Sequence, residues 1–169
     1  EIPKRLYFQV NQALDAACIR PVQEGYFPGA AQTGNTAGDV PGQTIGNITE
    51  NQQGLSGQGV LVGIVDSGVD WQHPDFCNKD GTSRILRLWD QSLLAKPGED
   101  PPEGYAAGVE YTKTDIDRAL RLSRAEGKQI VREQDFSGHG TSVLGIAAGN
   151  GRASGGVNRG VAYTSDIIA

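Results

Sequence analysis

The chain has 169 residues, enough for about one domain, of which 37% are hydrophobic and 21% are charged. Its formal net charge of −5 argues against a nucleic-acid-binding protein, which normally carries a basic face. No apolar run reaches the roughly 18 residues that a membrane-spanning helix needs.

The amino-terminal part of the chain has the composition of a surface arm. Residues Glu1–Val10 alternate between apolar and polar, which predicts a short strand. The sequence that follows, up to residue 56, is rich in Gly, Asn and Gln and is interrupted by Pro28 and Pro41. We therefore divide the chain into an irregular N-terminal arm over 1–56 and a folded segment over 57–169.

Three strands are predicted in the folded segment. Val60–Val65 is a continuous apolar run, which is typical of a central parallel strand covered on both faces. Arg84–Trp89 is a second strand candidate, and Leu94–Gly108, rich in Pro and Gly, is a loop. Gly160–Ala169 becomes apolar again and predicts the third strand.

Two helices are predicted between the second and third strands. Thr112 is placed to cap a helix that ends near Gly127. Gly140–Gly149 reads as a short buried helix that begins at or just before His139. Strands that alternate with helices indicate an α/β fold with a parallel sheet. Because the chain stops inside an apolar run, we expect it to be part of a larger domain.

Asp66 and His139 are the candidate catalytic residues. Asp66 ends the first strand, at the sheet edge where catalytic groups gather in α/β folds. His139 lies at a helix start, whose positive end disfavours a protonated imidazole. Each residue alone has a structural alternative, as a turn cap or a helix cap. Together they predict a pair in which the carboxylate orients a general base, with Nδ1 roughly 2.6–3.2 Å from a carboxylate oxygen.

Two motifs resemble those of a known protease family. Val62–Asp70, followed by His73-Pro74-Asp75-Phe76, resembles the aspartate motif of the subtilases. Gly138–Gly145 resembles their histidine motif, and Gly160-Val161-Ala162 resembles the Gly-Val-Ala that enters their next strand. Further segments look like the clostridial branch that includes spore-germination proteases: Phe76–Gln91, Tyr111–Leu120 and Glu1–Gln23.

The resemblance implies the first part of a doubly wound, parallel-sheet subtilisin-like domain with serine endopeptidase activity. Asp66 and His139 would be two members of its Asp-His-Ser triad. The nucleophile motif is absent up to Ala169, since Ser142 belongs to the histidine helix and Asn150 comes too early for the oxyanion asparagine. The serine would come from a C-terminal portion of the domain, and the substrate would be a peptide or protein. The alternative is a non-catalytic subtilase-like interaction or signalling protein that lacks the nucleophile.

The resemblance also implies a metal position. Asp75 matches a residue that helps to bind calcium in many subtilases, and a carboxylate oxygen suits this ion, although Asp75 is also a plausible turn residue. The loop Asn150–Asn158, which would supply further ligands, carries Arg152. Zinc held by His73, Asp75 and Cys77 is a weaker alternative, because no fourth ligand is evident.

The remaining expectations concern the thiols and the location. Cys18 and Cys77 are too few for a disulfide scaffold; the alternatives are a single disulfide between them and two free thiols, of which we expect the free thiols. The family branch implies a bacterial protein that is secreted, held at the cell envelope or associated with the spore. Neither a membrane span nor a nucleic-acid partner is expected.

Overall fold

The computed structural model describes residues 55–169. The strands are β1 (Leu61–Gly63), β2 (Ile85–Asp90), β3 (Val109–Thr112) and β4 (Asp166–Ile168). The helices are α1 (Lys113–Leu120), α2 (Arg124–Ile130) and α3 (His139–Ala148), and two 3₁₀ turns span Pro74–Phe76 and Arg152–Ser154. None of the helices in this part of the chain is long and apolar enough to cross a membrane. The strand predicted over Glu1–Val10, nearly all of the arm, and Cys18 lie outside the described residues.

The sheet is mixed, with the strand order β1-β4-β2-β3. β4 runs parallel to both of its neighbours, so that Ile167 lies opposite Val62 of β1 and Ile85 of β2. β3 runs antiparallel to β2, with Leu88 opposite Tyr111. The α/β class is confirmed, and the three strands predicted from the sequence, now β1, β2 and β4, form its parallel part; the antiparallel edge strand β3 was not predicted. The loop after β2 brings the chain back beside it in the opposite direction, which needs no crossover helix.

The central position predicted for the run Val60–Val65 is not seen within residues 55–169. β1 lies at one end of the strand order, and Val60 and Leu61 are 51% and 52% exposed. β4 lies between β1 and β2, and its Ile167 is fully buried. An apolar run indicates a strand, but the place of that strand in the sheet depends on where the chain returns. Here the chain returns between the first two strands.

Within residues 55–169, a buried cluster joins the sheet to the helices. It includes Ile85, Leu88 and Ile167 from the sheet and Leu144 and Ala148 from α3. Burying a Leu or Ile side chain stabilises a fold by about 1.5–3 kcal/mol relative to leaving it exposed. These contacts hold α3 against the sheet, as predicted, and thereby position the helix start.

The segment after β3 forms two helices where the sequence predicted one. Thr112 caps α1 as predicted, because its Oγ1 accepts a hydrogen bond from Asp115 N while the Asp115 carboxylate accepts one from Thr112 N. Ser123 caps α2 in the same way. Gly127 lies inside α2 and does not end a helix. A Cβ atom at Gly127 would lie 2.7 Å from Ala119 O, so the glycine permits close contact between α1 and α2.

The final strand is shorter than the predicted run Gly160–Ala169. The backbone N–H groups of Val161 and Ala162 donate to Ile146 O and Ala147 O in the last turn of α3. They satisfy carbonyl groups that a helix end otherwise leaves without partners. The apolar residues at the start of this run therefore end the helix and do not extend β4.

Candidate active site

The two predicted catalytic residues meet just beyond the carboxyl end of β1. Asp66 follows β1, and His139 is the first residue of α3. Although they are 73 positions apart in the sequence, Asp66 Oδ1 and His139 Nδ1 are separated by 2.6 Å. Ser67 N donates a second hydrogen bond to Asp66 Oδ1 at 2.7 Å. The contact expected from the paired motifs is present.

This contact changes the protonation of both side chains. The hydrogen bond from His139, followed by that from Ser67 N, lowers the pKa of Asp66. The hydrogen bond to Asp66, together with its charge, raises the pKa of His139. The contact acts against the helix start, whose positive end disfavours the protonated imidazole. A carboxylate in direct contact carries a full charge, whereas a helix terminus carries only about half of one.

The geometry sets the tautomer of the neutral His139 imidazole. An ionised carboxylate only accepts hydrogen bonds, so Nδ1 carries the proton directed at Asp66. Nε2 then keeps a free lone pair, and 69% of the His139 side chain is exposed, compared with 17% for Asp66. The pair can therefore take a proton from a group that approaches Nε2, which is the chemistry of a general base.

Glycines allow the helix start to approach the turn after β1. Gly138, which precedes α3, has a φ of 73°, in the left-handed region that favours glycine. A Cβ atom at Gly140 would lie 2.2 Å from Gly68 O and 3.1 Å from Asp66 Cβ. Any larger residue at Gly140 would have to push α3 away from Asp66.

A second aspartate, which the sequence analysis did not assign, joins the two motifs. Asp135 Oδ1 accepts hydrogen bonds from Ser67 Oγ at 2.9 Å and from Gly138 N at 2.8 Å. Asp135 Oδ2 accepts from Thr141 N at 2.8 Å and from Thr141 Oγ1 at 2.7 Å. The sequence signal was weak, because an Asp ahead of a Gly-rich turn is common in loops.

A buried acid also contacts the turn after β1. Glu133 is 3% exposed, and its Oε1 accepts a hydrogen bond from Val69 N at 2.8 Å. Burial raises the pKa of Glu133 to about 8, against the smaller lowering effect of the Val69 N–H group. Glu133 Oε2 has no hydrogen-bond partner within the described part of the chain. Glu133 is thus mainly protonated at neutral pH, which no sequence pattern indicated.

A cavity of about 650 Å³ opens beside Asp66. Its lining comes from the turn after β1, from the ends of β2 and β4, and from Glu133 and Phe136. Val65 and Phe136 at its edge are each 91% exposed. The volume lies in the range of ligand pockets, so the sheet edge offers space for a substrate group next to the Asp66 carboxylate.

Within residues 55–169, groups of the chain itself bind the Asp75 carboxylate and the carbonyl oxygens beside it. Asp75 is 2% exposed, and its Oδ1 accepts a hydrogen bond from Ala153 N at 2.8 Å. Arg84 Nη1 donates to Asp75 O at 3.0 Å, and nearby Arg152 Nη1 donates to Cys77 O at 3.1 Å. Residues 55–169 contain no group of three or more His, Cys, Asp or Glu side chains that suits a metal. Two guanidinium groups therefore bind carbonyl oxygens beside the Asp75 carboxylate.

The side chains of His73 and Cys77, which were considered as zinc ligands, make hydrogen bonds to backbone groups of their own turn. Cys77 is a buried free thiol in the described part of the chain, and burial raises its pKa. Cys77 Sγ donates to His73 O at 3.5 Å, and His73 Nδ1 accepts from Asp75 N at 3.3 Å. These side chains therefore stabilise the turn.

Comparison with protein families agrees with this geometry. Residues 57–169, more than half of the chain, match the model of the subtilase family. The chain therefore belongs to the subtilase family, and its α/β fold is the amino-terminal part of a subtilisin-like catalytic domain.

Curated relatives are subtilisin-like proteases. PopC of Myxococcus xanthus (strain DK1622) is 30% identical over 115 residues, which is 68% of this chain and 16% of that protein. SBT2.4 of Arabidopsis thaliana is 30% identical over 118 residues, which is 66% of this chain and 14% of that protein. SBT3.3 of the same plant is 27% identical over 109 residues, and this chain spans 12% of its length. The chain thus spans a small part of the relatives that it matches.

A solved structure from a clostridium is also similar. The CspB protease of Clostridium perfringens aligns with a TM-score of 0.54 and 38% sequence identity, over 68% of this chain and 21% of that chain. The resemblance to a clostridial protease, expected from segments around the motifs, is confirmed.

Proposed function

We propose that this chain supplies the aspartate and the histidine of a serine endopeptidase, with the nucleophile contributed by sequence beyond Ala169. The observation that carries the proposal is the 2.6 Å contact between Asp66 Oδ1 and His139 Nδ1. Membership of the subtilase family supports serine peptidase chemistry, for which the substrate is a peptide or protein.

In the proposed reaction the serine hydroxyl attacks a peptide carbonyl while His139 Nε2 takes its proton. The C–N bond then breaks, and His139 returns the proton to the leaving amine. Water then attacks the acyl-enzyme while His139 takes a proton from it. The ester bond to the serine breaks, and His139 returns the proton to the serine oxygen. Asp66 stays ionised throughout, holds the Nδ1–H group and stabilises the imidazolium ion. The raised pKa of His139 and the lowered pKa of Asp66 are consistent with this stabilisation.

The proposed partner of this chain is the remainder of the catalytic domain. His139 needs a hydroxyl group to activate, and the tetrahedral intermediate needs an oxyanion site beside it. Residues 1–169 on their own are therefore expected to hydrolyse no peptide. We further propose that the protein is bacterial and is secreted, held at the cell envelope or associated with the spore. Its similarity to a Clostridium protease supports a bacterial origin, and fractionation of the producing cells would test the location.

The test uses the longest natural polypeptide that contains this chain, a casein substrate and a fluorophosphonate that labels activated serines. We expect one labelled serine beyond Ala169. We also expect His139→Ala and Asp66→Asn to lower kcat by about 10⁴-fold or more. His73→Gln changes the other of the two histidines in the chain and should retain the wild-type rate.

Two results would overturn the proposal. Casein hydrolysis that persists in His139→Ala would show that a different residue acts as the base. A folded protein that binds peptides but neither reacts with the fluorophosphonate nor hydrolyses casein would be the non-catalytic interaction protein.

A further inference from the structure

The start of α3 lacks a side chain at its capping position. Its N-cap residue is Gly138, which makes no side-chain capping bond. The first N–H groups of a helix have no partners within the helix and need acceptors from elsewhere. Asp135 supplies these acceptors, with Oδ1 binding Gly138 N and Oδ2 binding Thr141 N. An upstream carboxylate thus takes the place of the missing cap.

Two serines extend this capping network to the remaining N–H groups of the helix start. His139 N donates to Ser137 Oγ at 3.1 Å, and Gly140 N donates to Ser67 Oγ at 3.0 Å. Ser67 Oγ in turn donates to Asp135 Oδ1 and accepts from Ser137 Oγ at 2.8 Å. Ser67 adjoins Asp66 in the sequence, so the network connects the side chain next to Asp66 to the first turn of the helix that carries His139.

The charge of Asp135 suits this position. Partial burial opposes its ionisation, but the hydrogen bonds from Thr141, Ser67 and Gly138 prevail and lower the pKa of Asp135 to about 2. It is therefore an anion at neutral pH, located at the positive end of a helix. The same carboxylate would bind the helix start less well if it were neutral.

We propose that Asp135 is a positioning residue that holds Asp66 and His139 at their contact distance. The inference rests on the proposed function and deepens it, because a side chain outside the triad would keep Asp66 and His139 in contact. Asp135 acts through Ser67 on one side and through the first turn of α3 on the other. Without the carboxylate, the Ser67 hydroxyl and the first turn of α3 would no longer share an acceptor.

The test measures the His139 pKa by NMR, which needs no activity. The chain has two histidines, so the second imidazole signal, from His73, serves as an internal reference. In Asp135→Asn an NH₂ group replaces one of the two acceptor oxygens. Its N–H groups then face the N–H and O–H donors that the carboxylate accepted from. We expect the His139 pKa to fall most of the way to its value in Asp66→Asn, with the His73 signal unchanged. Ser67→Ala, a milder change to the same bridge, should lower it in the same direction.

A double-mutant cycle separates positioning from the direct charge of Asp135. If Asp135 acts through the pair, Asp135→Asn should lower the His139 pKa more in the wild-type background than in the Asp66→Asn background. Asp115→Asn is the matched control, because it removes a carboxylate that caps α1 through Thr112. That variant should lose stability but leave the His139 pKa unchanged.

Equal falls in the two backgrounds would overturn the proposal, and so would an unchanged His139 pKa in folded Asp135→Asn. If Asp135→Asn does not fold, an unchanged His139 pKa in Ser67→Ala has the same meaning. In the complete protein, Asp135→Asn should lower kcat by roughly 100-fold with little change in KM, the usual cost of a displacement near 1 Å. If the fluorophosphonate labels no serine, the proposed function fails, whereas the NMR result still decides the role of Asp135.

Discussion

The two ends of α3 are held by charges of opposite sign and respond differently to their surroundings. At the amino end, the Asp135 carboxylate accepts hydrogen bonds from Gly138 N and Thr141 N. At the carboxyl end, the guanidinium group of Arg84 donates to Ala148 O at 2.6 Å. Each charge complements the partial charge of the helix end that it contacts.

The charged groups at the two ends of α3 differ in how exposed they are and in whether they can lose a proton. Arg84 is 5% exposed, and an arginine stays protonated in proteins even though burial lowers its pKa. The His139 side chain is 69% exposed, and its hydrogen bond to Asp66 raises its pKa. The carboxyl end of α3 is therefore bound by a buried, permanently charged arginine that stabilises the fold. The amino end carries an exposed histidine that can exchange a proton. The following predictions test this division.

The largest effect on stability is expected at the buried end. Arg84→Met removes the donor to Asp75 O, Ala148 O and Ser165 O, and should lower the free energy of unfolding by roughly 4 kcal/mol, since a buried unpaired carbonyl costs about 1–3 kcal/mol. Urea unfolding measures this change. Arg87→Met, which changes an exposed arginine of β2 three positions further along the chain, should cost less than about 1 kcal/mol. Similar losses for both variants would contradict a special role for Arg84.

The next effect concerns pH and Glu133. In the unfolded chain this acid titrates near 4.5, and in the folded chain near 8, so between these values the folded state holds more protons. The free energy of unfolding should therefore fall as pH rises through this range, by roughly 1.4 kcal/mol per pH unit in its middle. Glu133→Gln cannot ionise and keeps an acceptor for Val69 N, so it should lose this slope.

The Glu133 prediction has two internal controls. His139, whose pKa is also raised, contributes a slope of the same sign in both proteins and cancels in the comparison. Asp135, with its pKa lowered to about 2, should still produce the opposite slope, a loss of stability as pH falls toward 2. Parallel stability profiles for wild type and Glu133→Gln above pH 5 would show that Glu133 is not protonated in the folded protein.

A smaller loss of stability is expected at the amino end of α3. Gly140→Ala places a Cβ atom against Gly68 O, and the helix start must move, at a cost of roughly 2 kcal/mol. Because the movement separates His139 from Asp66, the pKa of His139 should fall in an NMR titration. Gly63→Ala is the matched control, since a Cβ atom there meets nothing within 4 Å. A His139 pKa in Gly140→Ala equal to that of the wild-type protein would show that the Asp66–His139 contact survives the displacement.

The smallest effect is expected from calcium. Because guanidinium groups bind the carbonyl oxygens around Asp75, adding calcium or a chelator should leave the melting temperature of this region unchanged. Arg152→Ala should lower stability by about 1 kcal/mol, the typical value of a hydrogen bond, and calcium should not restore it. A melting temperature that rises with calcium but not with magnesium would show that a site forms there.

Sequence reasoning succeeded where the determinants are neighbours in the chain. Thr112 and Asp115 form a capping box within one turn, so the start of α1 could be predicted. The start of α3 at His139 followed from the glycines beside it. The Asp66–His139 contact spans a long separation and was predictable because two specific motifs, each recognised locally, indicated a known pairing.

The sequence by itself determined the α/β class, the candidate pair and the family, since these depend on local patterns and on residue types. Tertiary structure alone decided that β4 lies between β1 and β2, that Gly127 packs α2 against α1, and that the pKa of His139 rises. It also brought Asp135 to Ser67 and Arg84 to Ala148, across separations of 68 and 64 residues. Hydrogen bonds of this kind depend on which distant segments become neighbours in the folded chain. Composition, periodicity and spacing do not specify those neighbours.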